Sequence, residues 1–285
     1  MIPAIIKIIP KGSLFLRSRE HYTAGELFNN RRDLKYPPVK KAKLQRANWN
    51  NQPMFYASYV SDPKAESNPD AVITILYETS DFVRNECSEG IKEATISLWK
   101  SKRDLEVFVL PTFNIYPSID EIFELYNEKW EKFFEVAGVP QIKIDYLKNI
   151  TEKFAQISEN EDEQKNAYKI TAEFVNLILA NNLEIDGIMY PSARLKNEKI
   201  GVNIVFRPEI CDKWLDLIQA HVAHFFKPNI KQEFLTYYME TTKCGNTGKI
   251  KYKMCKDYFK DIHYMEATQE SKVDYLSLEL KYNSK

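Results

Sequence analysis

The stretch from residue 186 to residue 206 constrains the fold most. Residues 186–190 and 200–206 are short, apolar and β-prone, so both read as strands. Between them runs Ile188-Met189-Tyr190-Pro191-Ser192-Ala193-Arg194, in which Pro191 turns the chain and presents Ser192 at a strand end. The second strand carries Asn203-Ile204-Val205-Phe206. A chain built around such a pair needs further strands beside it.

Those strands are legible elsewhere. Residues 13–19 alternate, with Phe15, Arg17 and Arg19 on one face and Leu14 and Leu16 on the other. Residues 20–44 are polar and hold Pro37-Pro38, which suits loop with one short helix. A second strand is expected over 53–59. Ser67-Asn68-Pro69-Asp70 has the form of a helix start, followed by Val72, Ile75, Leu76 and Thr79 at helical spacing. Residues 93–99 and 105–110 read as a hairpin turning through 100–104. Residues 118–137 read as a helix capped by Ser118, with Ile122, Leu125, Tyr126, Trp130, Phe133 and Phe134 as its apolar stripe. A polar break at 158–165 precedes a second long helix ending near Asn182. Residues 213–226 are expected to be helical, 249–254 to form a strand, and 265–285 a strand or a frayed tail. The sum is an α+β domain spanning 1–285, built on a twisted mixed sheet with flanking helices, with 207–285 as an extended C-terminal part.

Composition narrows the function classes. Lys plus Arg equals Asp plus Glu at 40 each, so no basic excess points to nucleic acid. Cys87, Cys211, Cys244 and Cys255 form neither a Cys-x-x-Cys pair nor a zinc spacing, which favours reduced thiols. The opening residues make a poor signal peptide, and no run approaches the roughly 20 apolar residues of a membrane helix. A soluble cytoplasmic protein without membrane contact is expected.

Several residues carry chemistry, each beside an ordinary structural explanation. Ser192 lacks a Gly-x-Ser-x-Gly elbow and a histidine partner, so it reads as a positioning hydroxyl rather than an acyl nucleophile. Arg194, two residues on, is within reach of a ligand phosphate. His221 and His224, three apart on the expected helix, share a face, but no further ligand completes a metal set, and packing explains them better. No metal is assigned. Lys40-Lys41-Ala42-Lys43 and Lys249-Ile250-Lys251-Tyr252-Lys253 are short and balanced by acids elsewhere.

Three blocks in order resemble the RES domain, a family named for its Arg, Glu and Ser residues. They are Leu16-Arg17-Ser18-Arg19; Gln45-Arg46-Ala47-Asn48 through Met54-Phe55-Tyr56 with Glu78 beyond; and the serine segment closed by Asn203. The resemblance covers roughly 13–80 and 170–206. One departure is Asn48-Trp49-Asn50-Asn51-Gln52-Pro53, where the family usually has a glycine; asparagine tolerates φ > 0 there.

The resemblance implies a fold similar to ADP-ribosyltransferases. It also implies degradation of NAD at the nicotinamide–ribose bond, with phosphate or water as acceptor and NAD as substrate rather than cofactor. The family's toxins are usually held by an antitoxin, and a homo-oligomer surface in 207–285 is a further expected partner face. On this basis Arg17 and Arg46 bind the pyrophosphate, which arginine's planar, permanently charged fork suits, with Arg19 assisting. Tyr56 meets nicotinamide or its ribose. Glu78 faces the ribosyl cation, as carboxylates do in glycosidases, with Asp81 and Glu86 as neighbouring competitors. Ser192, Asn203 and Arg194 position the substrate. The rival readings are a protein ADP-ribosyltransferase and a non-catalytic RES-like protein that binds a nucleotide or a partner.

Overall fold

The computed structural model describes residues 3–23, 25–60, 69–116, 120–181, 184–194, 201–229, 232–244 and 248–255. In chain order the strands are β1 (Ile6–Ile9), β2 (Leu14–Glu20), β3 (Phe55–Val60), β4 (Gly90–Ser101), β5 (Leu105–Val109), β6 (Gly187–Pro191), β7 (Val202–Phe206), β8 (Leu215–Asn229), β9 (Gln232–Cys244) and β10 (Ile250–Met254). The helices are α1 (Arg31–Leu34), α2 (Pro69–Thr79), α3 (Asp81–Arg84), α4 (Glu121–Val136), α5 (Gln141–Ala155), α6 (Glu161–Asn181) and α7 (Pro208–Trp214). The architecture is α+β around a large mixed sheet.

The ten strands form one sheet in the order β1-β5-β6-β7-β3-β2-β4-β8-β9-β10. Among the described residues only β5 and β6 run parallel, paired as Val107↔Gly187 through Val109↔Met189. A parallel pair needs a crossover, and α4, α5 and α6 supply it. Strands β6 and β7 meet unusually closely. A Cβ at Gly187 would lie 2.2 Å from the Val205 carbonyl oxygen and 2.7 Å from the Phe206 ring, so only glycine fits there.

Alternation along the strands gives the sheet two distinct faces. One buries Phe15, Phe55, Trp99, Ile204 and Phe206 beneath Leu34, Ile210 and Cys211. The opposite face carries two separate apolar clusters. Under α5 and α6, Phe108, Ile188, Tyr190 and Val205 meet Leu147, Ile150, Phe154, Phe174 and Ile178. Under α2 and α3, Leu16, Ile96, Ala223 and Phe225 meet Leu76 and Val83. Helix α4 adds Trp130, whose indole N–H donates to the Val109 carbonyl at 3.0 Å.

Several expectations are corrected. Strands β4 and β5 are no hairpin: β4 lies between β2 and β8, and β5 between β1 and β6. The loop between them instead runs beside residues 10–13, with Gly12 N–H donating to Ser101 O and Ser101 N–H to Ser13 O at 3.0 Å, so the β2–β4 pair passes directly into the β1–β5 pair. Of residues 213–226, only Lys213 and Trp214 are helical, as the end of α7. After α7 the chain enters β8, paired with β4 along its length, and cross-strand pairing there outweighs helical spacing. Helix α5 was not anticipated as an element of its own. The polar break at 158–165 holds the start of α6, where the Asn160 side chain accepts from the backbone N–H groups of Asp162 and Glu163. Helix α4 begins at Glu121 behind Asp120, whose carboxylate accepts from Ile122 N–H. The expected caps at Ser67-Asn68 and Ser118, the helix end at Asn182 and the tail at 265–285 lie outside the described residues.

Candidate active site

Glu78 sits in the last turn of α2, with its side chain 16% exposed. That is an unfavourable place for a carboxylate, because the carbonyl end of a helix is itself negative. The surroundings offset this cost. Ser192 Oγ donates to Glu78 Oε1 at 2.6 Å, and Asn203 Nδ2 donates to the same oxygen at 2.8 Å. Arg194 Nε lies 3.8 Å from Oε2, an ion-pair distance beyond hydrogen-bond reach. Residues 114 and 125 positions apart from Glu78 thus converge on one oxygen.

The strands explain the convergence. On β6, Tyr190 shares a face with Ile188, and Ser192 follows two residues on. Asn203 stands directly opposite Tyr190 on β7. All of these point to the face that carries α2, α5 and α6. Ser192 is also tied down by its backbone, whose N–H donates to Gly201 O at 2.8 Å. Its hydroxyl accepts from Arg194 N–H at 3.3 Å.

Arg46 comes from the tight turn before β3, where Gln45 and Asn48 bridge. It is buried, donates through Nη1 to the Phe154 carbonyl at the end of α5, and lies over the Tyr168 ring of α6 at 5.4 Å. Burial is the largest single influence and works against its charge, but the Glu78 carboxylate together with Tyr168, Tyr190 and Tyr116 holds the guanidinium above its ordinary pKa. Among the described residues, Arg46 Nη2 has no hydrogen-bond partner although it is buried.

Tyr56 holds that turn in place. Its hydroxyl accepts from Ala47 N–H at 2.9 Å and donates to Asn48 Oδ1 at 2.7 Å. Tyr56 therefore braces the turn at the two residues that follow Arg46. The glycine-free stretch after it is accommodated by Asn51, at φ 63°.

Arg17 and Arg19 are not brought to Glu78. They share a face with Phe15, as alternation predicts, but it is the face opposite α2. Arg17 donates through Nε to Lys35 O and through Nη1 to Tyr56 O, both at 2.8 Å, and lies over the Phe55 ring. Burial pulls its pKa down to about 10. Arg19 donates to Asp33 O and stacks over Phe28. Both guanidiniums are spent on backbone carbonyls and aromatic rings. Of the neighbours weighed against Glu78, Asp81 pairs with Arg84 on α3.

Tyrosines complete the site, and sequence reasoning assigned none of them a role there. Arg194 Nη2 lies 3.4 Å from Tyr168 Oη. Tyr190 and Tyr116 are buried, and both are pushed up by burial with the charge of Glu78 adding to it. In a chain with 17 tyrosines nothing local marks these three.

A second polar cluster lies on the other face. Glu93 on β4 is buried, and its Oε2 accepts from His21 Nδ1 at 3.1 Å and Gly25 N–H at 3.0 Å. Its Oε1 meets His224 Nε2 at 2.9 Å and Tyr238 Oη at 3.3 Å. Burial raises the Glu93 carboxyl, but the His21 and His224 hydrogen bonds outweigh that and hold it well below the ordinary range. The spacing of His221 and His224 thus has a different meaning from the one expected. On a strand they face opposite ways, His221 against Ile96 and His224 against Glu93. Among the described residues, no group of three or more His, Cys, Asp or Glu side chains is arranged to hold a metal ion. No helix among them is long and apolar enough to cross a membrane.

No protein-family model matches the chain, and no curated protein does so either.

Proposed function

We propose that the Glu78 cluster cleaves the nicotinamide–ribose bond of NAD, as the resemblance to the RES domain implies. One observation carries the reading. Ser192 and Asn203, from one block of that resemblance, donate to Glu78 of another, whose charge acts on the buried Arg46. A chance match would have no reason to bring them together.

In this reading the C1′–N bond breaks and its electron pair leaves with neutral nicotinamide. Positive charge then develops on the ribose, and Glu78 stabilises it. Ser192 and Asn203 hold the carboxylate in place by donating to Oε1. Arg46, braced by Tyr56, binds the anionic part of the substrate. Phosphate attacking C1′ yields ADP-ribose phosphate, and water yields ADP-ribose with release of a proton. The pyrophosphate role first expected of Arg17 and Arg19 is not carried forward, since neither reaches this face.

The wider reading follows the resemblance: an ADP-ribosyltransferase-like fold in one domain, acting in the cytoplasm as a growth-inhibiting toxin with an antitoxin partner. Purified protein is expected to release nicotinamide from NAD, and Glu78→Gln to lower that rate at least about 100-fold while keeping the fold. Dependence on added phosphate separates phosphorylase from glycohydrolase, and label transferred from NAD to protein marks the transferase alternative. Full activity in Glu78→Gln would sink the assignment.

A further inference from the structure

Tyr116 belongs to no motif of the sequence, yet the topology brings its loop to the end of the sheet that carries Ser192 and Arg194. Strands β5 and β6 are parallel, so the chain leaves both at the same end of the sheet. After β6 come Ser192 and Arg194. After β5 comes a tight loop, held to β6 by Leu110 N–H donating to Met189 O at 3.0 Å. The Asn127 side chain pins that loop by accepting from Thr112 N–H at 3.0 Å. Phe113 and Asn114 both take positive φ, 50° and 58°, and the loop then turns inward to Tyr116.

Tyr116 is only 7% exposed, and among the described residues its buried hydroxyl has no hydrogen-bond partner. The same holds for Arg46 Nη2. Native interiors rarely leave such groups unmatched, because each unmade bond destabilises the fold. Both are within electrostatic reach of the same carboxylate: the Tyr116 phenol feels the charges of Arg46 and Glu78, and Arg46 in turn feels Tyr116. Burial keeps the phenol protonated, so it is a donor at working pH.

We propose that Tyr116 is a substrate-contacting residue whose hydroxyl, together with Arg46 Nη2, donates to an oxygen of a phosphate-class anion. Charge favours an anion over a neutral carbonyl. Arg84 pairs with Asp81 and Arg194 faces Glu78, which leaves the positive charge of Arg46 as the surplus. The proposal rests on the Glu78 cluster being the substrate site. The anion is either the pyrophosphate of NAD or free phosphate as acceptor.

The test is calorimetric binding of ADP-ribose and of inorganic phosphate to the full chain, wild type against Tyr116→Phe, with nicotinamide release measured alongside. Tyr116→Phe removes one oxygen and keeps the ring, and its thermal unfolding is expected to match wild type. At least one of the two ligands is expected to bind roughly tenfold or more weakly to the variant. Weakening for ADP-ribose alone identifies the pyrophosphate, and weakening for free phosphate identifies the acceptor. A double-mutant cycle with Arg46→Lys is expected to be non-additive, because both donors share one oxygen. Equal binding of both ligands by wild type and variant overturns the proposal, and so does a wild type that binds neither. Nicotinamide release with unchanged binding in Tyr116→Phe overturns this proposal and spares the NAD reading. Tyr116-dependent anion binding without nicotinamide release overturns the NAD reading alone.

Discussion

Glu78 and Glu93 are two enclosed carboxylates on opposite faces of one sheet, and they are held in different ways. Glu93 has donors on both oxygens: His21 and Gly25 on one, His224 and Tyr238 on the other. The cluster fastens β4 to β8 and to the loop after β2. Among the described residues, Glu78 receives its hydrogen bonds on Oε1 alone, and unmatched donors stand nearby. The contrast teaches that burial and charge do not by themselves mark a working site. A saturated carboxylate is a structural fastener, whereas one held from one side, next to unmatched groups, is arranged to meet something else.

The comparison breaks most directly at Glu93. Glu93→Gln is expected to cost about 3 kcal/mol of stability, the scale of removing one partner from a buried charged cluster, with nicotinamide release per folded molecule unchanged. Chemical denaturation with an activity assay checks both halves. The pH dependence has a definite sign. The folded carboxyl is held below its unfolded value, so its stabilisation is complete above about pH 4.3 and is lost as pH falls toward the folded pKa. Melting temperature measured from pH 7 down to 3 is therefore expected to fall less steeply in Glu93→Gln than in wild type.

A smaller effect sharpens the other half of the comparison. Tyr56→Phe removes the hydroxyl that grips both Ala47 and Asn48, so the turn carrying Arg46 loosens. Nicotinamide release is expected to drop about tenfold, the rate equivalent of roughly 1.4 kcal/mol. A double-mutant cycle with Arg46→Lys, read on the rate, should show that the two losses are not independent. Additive losses would remove Tyr56 from its bracing role. The smallest effect is expected from Arg17→Met, which keeps the stem against Phe55 and removes the charge. Its rate should stay within about threefold of wild type, under about 0.7 kcal/mol. A loss as large as that of Glu78→Gln would return Arg17 to the site.

Much of the fold was legible because local patterns settle it. Alternation gave β2, short apolar runs gave β6 and β7, the strand expected over 53–59 is β3, and helical spacing gave α2 and α4. The site was legible as residue types in Arg46, Tyr56, Glu78, Ser192, Arg194 and Asn203. Two other readings failed for a common reason. Gly90–Ser101 and Leu105–Val109 look like a hairpin because a short loop joins them, but other strands take the places beside them. The 213–226 segment has spacing that suits a helix, and only the long pairing with β4 makes it a strand.

The sequence by itself determined which segments are strands around the serine loop, which face each of their side chains takes, and which residue types are available for chemistry. These follow from periods of 2.0 and 3.6 residues and from turn chemistry, all local. Only the tertiary structure decided which of those side chains meet. Arg17 and Arg46 are both arginines in motif blocks, yet strand order and alternation send Arg17 to the face opposite Glu78, while the turn braced by Tyr56 holds Arg46 beside it. Tyr116 joined the site, and His21 and His224 closed on Glu93, through contacts between residues distant in the chain. Such contacts leave no local pattern, because they are set by how strands are ordered in the sheet and not by their neighbours in sequence.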